Sequence, residues 1–117
     1  MKVKRIVANI HTERPAEARR FYADILGLDV LMDLGWILTL GTRETMPVQT
    51  SFMSEGGSGA ETPDLSIEVD DLEEALRRCE TSGIAVEYGP VEEPWGVRRF
   101  FVRDPFGRLV NILSHSS

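Results

Sequence analysis

The sequence predicts an α+β protein made of two tandem modules, each with the order strand, helix, three strands. Three observations predict it. The pattern of elements along residues 6–53 restarts along residues 64–113. Gly27 and Gly83 each close a helical stretch and stand about half a chain length apart, which an internal duplication explains most simply. Between the halves runs Ser54-Glu-Gly-Gly-Ser-Gly-Ala-Glu-Thr-Pro63, whose polar, glycine-rich composition is that of a linker. The expected organisation is a single domain over 1–117, with module one at about 1–54, the linker at about 55–63 and module two at about 64–117.

In module one, residues 6–12 alternate as a strand does, with Ile6, Ala8 and Ile10 on one face and Val7, Asn9 and His11 on the other. Thr12 can cap a helix, and Pro15 is tolerated in a first turn. Ala16, Ala18, Phe21, Tyr22, Ile25 and Leu26 fall on one helical face, and Gly27 supplies the left-handed stop. Residues 28–32 and 36–40 read as strands around an Asp33-Leu34-Gly35 turn. A loop over 41–46 leads to a further strand at 47–53.

Module two repeats this order. Leu65, Ile67 and Val69 share one strand face, and Asp64, Ser66 and Glu68 the other. Asp71 with Glu74 three residues later fits a capping box. Leu72, Ala75, Leu76 and Cys79 form the apolar stripe of the helix that Gly83 ends. Residues 84–88 read as a strand. The apolar runs 97–102 and 109–113 flank Asp104-Pro105-Phe106-Gly107, in which Asp bonds its own backbone, Pro presets φ and Gly accepts positive φ. The pair reads as a β-hairpin.

Composition narrows the function. The 117 residues are 42% apolar and 27% charged, ordinary for a globular domain that buries a core. Nineteen acidic against thirteen basic residues give a net charge of −6, with no basic run, which argues against a nucleic-acid partner. No apolar run approaches the length of a membrane span, and the apolar part of the N-terminus is short for a signal peptide, so a cytoplasmic location and no membrane partner are expected. The single cysteine, Cys79, rules out an intrachain disulfide and a Cys-based zinc site. On the helix stripe it reads as a buried, inert thiol. Gly56-Gly57-Ser58-Gly59 lacks the lysine of a phosphate loop, no Gly-x-Ser-x-Gly occurs, and His115 lies in a terminal tail.

Pro94-Trp95-Gly96-Val97-Arg98-Arg99-Phe100 followed by Asp104-Pro105-Phe106-Gly107 resembles the C-terminal hairpin of the vicinal oxygen chelate superfamily, which includes glyoxalases, dioxygenases and bleomycin-resistance proteins. The Pro-Trp-Gly-x-Arg form is most similar to the bleomycin-resistance-like branch. Phe21-Tyr22 ahead of Leu26-Gly27-Leu28 resembles the family's first helix, so the resemblance spans the chain. It implies sheets that curve around a cleft. It also implies a homodimer, in which a second chain covers exposed sheet edges. The family's four metal positions fall on Val7, near Gln49 or Ser51, on Asp64 and on Asn111. Valine cannot ligate, Asn and Gln offer neutral carbonyls, and one carboxylate remains. The set suits a divalent transition metal poorly, so no metal or other cofactor is expected. An alternative pair, His11 with Glu68, lacks a convincing third ligand.

The expected site is a ligand-binding surface of Asn9, His11, Gln49 or Ser51 from module one and Asp64, Ser66, Glu68 and Asn111 from module two, with Trp36 and Trp95 as flat walls. Phe52 and Phe101 read as core. Stacked indoles over a polar floor suit an extended heteroaromatic ligand, and carboxylates at Asp64 and Glu68 favour a cationic one. The leading expectation is a metal-independent protein that binds a planar or cationic antibiotic-like small molecule and confers resistance by sequestering it. The first alternative is a metal-dependent lyase, isomerase or dioxygenase using His11, Glu68, Asp64 and Gln49. The second is a ligand-free dimeric interaction module.

Overall fold

A computed structural model describes the chain apart from Met1, Val3, Lys4, Ile6, Pro47, Val48, Ser116 and Ser117. It divides into two compact units, Met1–Met53 and Ser54–Ser117.

In the first unit, Pro15 opens a 3-10 turn, Pro15–Glu17, and the chain then winds as a π-helix over Arg19–Ile25 where an α-helix was expected. The Thr12 hydroxyl accepts the Arg14 N–H at 3.0 Å, so it closes a local turn rather than capping the helix. The Leu26 N–H reaches back to the Phe21 carbonyl at 3.1 Å, five residues away. The winding differs from expectation, and the expected stripe is buried in its second half only, with Ala16 exposed and Ala18 and Leu26 half-buried. Phe21, Tyr22 and Ile25 are buried, with the two rings edge-on at 4.9 Å. Gly27, at φ +82°, ends the turn as expected.

Strands β1 (Asp29–Asp33) and β2 (Leu38–Gly41) pair antiparallel around a turn at 34–37. The Asp33 carboxylate fixes that turn by accepting the Gly35 N–H at 3.0 Å. That bond, with the Arg19 guanidinium, holds the Asp33 carboxyl below its ordinary range. The strands expected at 6–12 and 47–53 join no ladder among their described residues. Burial of one face is what specifies strand register. Outside any ladder, their apolar residues Val7 and Phe52 are left exposed.

The second unit realises the full predicted order. Strand β3 (Leu65–Glu68), helix α1 (Leu72–Thr81) and strands β4 (Val86–Glu92), β5 (Val97–Arg103) and β6 (Leu109–His115) form a four-stranded sheet of order β3-β6-β5-β4. β3 runs parallel to β6, and the other pairs are antiparallel. α1 begins where the Asp71 carboxylate accepts the Glu74 N–H at 3.1 Å. Glu74 does not complete the box. Its carboxylate turns to Arg77 and Arg78, which lower its pKa. The Asp104 carboxylate accepts the N–H groups of Phe106 and Arg108 at 2.8 and 2.9 Å and shapes the β5–β6 turn.

Register sorts the sheet into two faces. Arg98, Phe100 and Val102 align with Ser114, Ile112 and Val110. Leu65 and Ile67 align with Val110 and Ile112. This is the helix face, where α1 buries Leu72, Ala75 and Cys79 and where Glu73 pairs with Arg98 at 2.9 Å. The opposite face carries Arg99, Phe101 and Arg103 on β5, Leu109, Asn111 and Leu113 on β6, and Ser66 and Glu68 on β3. Among the described residues no helix is long and apolar enough to cross a membrane.

Candidate functional site

The face of the second unit away from α1 holds a buried ion pair that sequence reasoning missed. Arg99 is 4% exposed and Glu93 is 6% exposed. The Arg99 Nε donates to Glu93 Oε2 at 2.9 Å, and Nη2 donates to the same oxygen. Arg99 Nη1 donates to the Gly56 carbonyl at 2.8 Å, and Nη2 reaches the Gly57 carbonyl at 3.3 Å. Tyr88 and Ser58 donate their hydroxyls to Glu93 at 3.1 and 3.3 Å. With these partners neither charge is left uncompensated, which is the condition for keeping charge out of water.

The glycine-rich stretch read as a linker is therefore tied down on this face. Besides the two carbonyls on Arg99, Glu61 pairs with Arg103 at 2.9 Å, and the Gly59 N–H donates to Glu55 at 2.9 Å. Gly57, at φ +89°, lets the backbone approach the Trp95 indole. A Cβ there would lie 2.8 Å from Trp95 Cη2.

Aromatic rings surround the guanidinium. Its central carbon lies 4.9 Å from the Phe101 centroid, 5.1 Å from Trp95 and 5.3 Å from Tyr88. These are cation–π distances. Trp95 remains 51% exposed, so Arg99 and Gly57 back the indole while about half of the residue meets solvent. The hint in sequence was the adjacent pair Arg98-Arg99 inside an apolar run, closely preceded by Glu92-Glu93. Alternation places Arg99 on the face opposite Phe100, but the acid six residues earlier meets it only because the turn at 93–97 folds back, with the Glu93 N–H on the Val97 carbonyl at 2.7 Å.

Of the residues expected from module two, Ser66 and Asn111 are brought together, the Asn111 amide nitrogen donating to the Ser66 hydroxyl at 3.1 Å. Asn111 Oδ1 is buried and finds no hydrogen-bond partner among the described residues. Asp64 uses its carboxylate structurally, accepting the Leu109 N–H at 2.9 Å. Glu68 lies 2.6 Å from His115 Nδ1, so the histidine read as a tail residue ends β6 beside that carboxylate. Phe101 is buried as core, but it also floors the guanidinium. Phe52, expected in the core, is 91% exposed, because the segment that carries it joins no sheet.

The candidates of the first unit lie apart along its chain. Asn9 and His11 are exposed in the segment before the helical turn, Gln49 and Ser51 are exposed near the end of the unit, and Trp36 is exposed in the turn between β1 and β2. The donor set does not suit the metal of the family. Val7 has no donor atom, Asn111 offers only a neutral amide oxygen, and Asp64 is the one carboxylate of the set, with one of its oxygens already on the Leu109 N–H. Among the described residues no three His, Cys, Asp or Glu side chains gather as ligands. Cys79 is fully buried, and desolvation, with a smaller push from Glu80, raises its thiol to about 11, far from a nucleophile at neutral pH.

Known proteins match this architecture. No curated protein sequence matches the chain. Among solved structures, TnmS3, an antibiotic binding protein from Streptomyces sp. CB03234, aligns with a TM-score of 0.67 at 22% identity, covering 99% of this chain and 97% of that one. A lactoylglutathione lyase from Agrobacterium tumefaciens aligns with a TM-score of 0.60 at 18% identity, covering 97% and 92%. TioX from Micromonospora sp. ML1 aligns with a TM-score of 0.57 at 20% identity, covering 88% and 89%. At such identities these likenesses speak to the fold. The family model for the Glyoxalase/Bleomycin resistance protein/Dioxygenase superfamily matches residues 3–112, and the chain belongs to that superfamily.

Proposed function

We propose that the protein binds a planar, antibiotic-like small molecule without metal and holds it without altering it. The observation that carries this reading is Trp95, a half-exposed indole on a rigid base of Arg99, Gly57 and Glu93. A flat apolar face on a preorganised support beside a few polar groups is what a ring-shaped ligand needs. Asn111 and Ser66 supply such polar groups on the same sheet face. TnmS3 adds the precedent of an antibiotic-binding protein in this fold. The poor donor set is the reason to prefer binding over metal-assisted lyase, isomerase or dioxygenase chemistry.

Titration with glycopeptide and heteroaromatic antibiotics, followed by tryptophan emission, tests the reading. At least one compound should bind, and Trp95→Ala should lower its affinity about tenfold while the protein stays folded. No binding by any compound, or binding indifferent to Trp95, overturns it. Elemental analysis of protein purified without chelator should give far less than one transition metal per chain. A stoichiometric metal would promote the enzyme reading.

The protein is also proposed to be a cytoplasmic homodimer. Val30, Leu31, Met32, Leu34 and Trp36 are exposed on a two-stranded hairpin, and an isolated hairpin is marginal in water. A second copy is the proposed cover. Sedimentation equilibrium at micromolar concentration should report a dimer, and a monomer alone defeats the proposal.

A further inference from the structure

The charge behind Trp95 bears on which ligands its open face accepts. An aromatic face attracts cations because its π-density is negative. Here one side of the indole already has a guanidinium 5.1 Å from the ring centroid. That charge is buried, where screening by water and salt is weak. A second cation laid on the outer face meets π-density already drawn toward Arg99, and it meets Arg99's field through the ring. A neutral or anionic ring meets neither penalty.

The carboxylates expected to draw a cation keep their charge, but each has a partner that fixes where it points. Asp64 accepts the Leu109 N–H, Glu68 sits on His115, and Glu93 holds Arg99 itself. The net charge of −6 acts at longer range and is screened beyond about 8 Å at physiological salt. At short range the arrangement of the pair decides, with the guanidinium over the indole at 5.1 Å and Glu93 held by its Nε and Nη2.

We infer that Arg99 is a specificity-determining residue that makes the Trp95 platform accept neutral or anionic planar rings and discriminate against cationic ones. This rests on the reading of Trp95 as the ligand platform. Glu93 offsets part of the guanidinium charge, so the two residues should tune the preference in opposite directions.

The experiment uses three probes of one ring size, acridine, acridine-9-carboxylate and N-methylacridinium, titrated in mildly alkaline buffer where acridine is neutral. The parent protein should bind the first two about three- to tenfold more tightly than the cation. Arg99→Gln should shift the cation-to-neutral affinity ratio toward the cation by about that factor, and Glu93→Gln should shift it the other way. Added salt should change these ratios little, because the pair is buried. Should Arg99→Gln fail to fold, the parent's own ratio and the Glu93→Gln shift still decide the sign. A parent that prefers N-methylacridinium, or two substitutions that move the ratio in the same direction, overturns the inference. Trp95→Ala separates the two levels. Probes that depend on Trp95 but ignore the charge pair defeat the inference alone, whereas probes that do not bind, or bind without Trp95, defeat the platform reading and the inference with it.

Discussion

The two units start from the same sequence pattern and reach different degrees of burial. In Ser54–Ser117 four strands pair, β5 and β6 have partners on both sides, and a helix covers one face. Phe100, Val102, Val110 and Ile112 are almost entirely inaccessible. In Met1–Met53 the corresponding strands form a hairpin of two, with the apolar residues of β1 exposed, those of β2 half-buried and Trp36 77% exposed. Alternation in sequence states which residues could share a buried face. Whether the face is buried depends on how many strands pair and on what covers them. The helical segments differ less, since each buries three residues of its apolar stripe and each is followed by a positive-φ glycine.

The largest test of this contrast compares two phenylalanines. Phe100→Ala removes a fully buried ring and should cost about 3–5 kcal/mol in denaturant unfolding. Phe52→Ala removes an exposed ring and should stay within about 0.5 kcal/mol. A Phe52 cost above about 2 kcal/mol would mean that the ring is covered in solution, and the contrast between the units would shrink. Hydrogen exchange should agree, with amides of β5 and β6 protected far longer than those of β1 and β2.

A smaller test compares the two helix starts. Asp71→Ala removes a side chain that caps α1 and should cost about 1 kcal/mol. Thr12→Ala removes a hydroxyl that accepts the nearby Arg14 N–H, and it should cost a few tenths of a kcal/mol at most. Equal costs would show that Thr12 supports the helical turn after all.

These helices also show what could be read in advance. The element order of the second unit, the glycine stops, the Asp104 turn and the α1 stripe are local, and local chemistry fixed them. The π winding of Arg19–Ile25 escaped because it depends on which backbone acceptor the Leu26 N–H reaches, a matter of packing rather than pattern. The Arg99–Glu93 pair escaped because it needs the turn at 93–97 and the glycine stretch at 56–57 to converge on one guanidinium. Ser66 and Asn111 could be placed together because they occupy matched positions on strands of a predicted sheet. Asn9, His11, Gln49 and Ser51 were assigned from strands that join no ladder, so the face assumed for them is missing among the described residues.

A last test follows from Cys79 and separates the units by pH. The residue half a chain earlier, Ala23, cannot titrate, so any thiol signal belongs to the second unit. Desolvation first, and Glu80 second, push the folded thiol up to about 11 from an ordinary value of 9.0. Below about 9 the thiol is neutral in the folded and unfolded chains alike, and its burial costs nothing in charge. As pH rises from there, the unfolded chain loses the proton while the folded chain keeps it, which favours unfolding. The loss ends near 11, where the folded thiol ionises as well. The parent should therefore lose stability relative to Cys79→Ala across that window, with the difference flat below it. Taking differences against the alanine variant removes the tyrosine and lysine titrations common to both. In the folded parent at neutral pH, Ellman's reagent should react far more slowly than with the urea-unfolded chain. Reaction at the unfolded rate would place Cys79 at the surface, and a flat difference through the alkaline window would mean that α1 does not hold its thiol out of water.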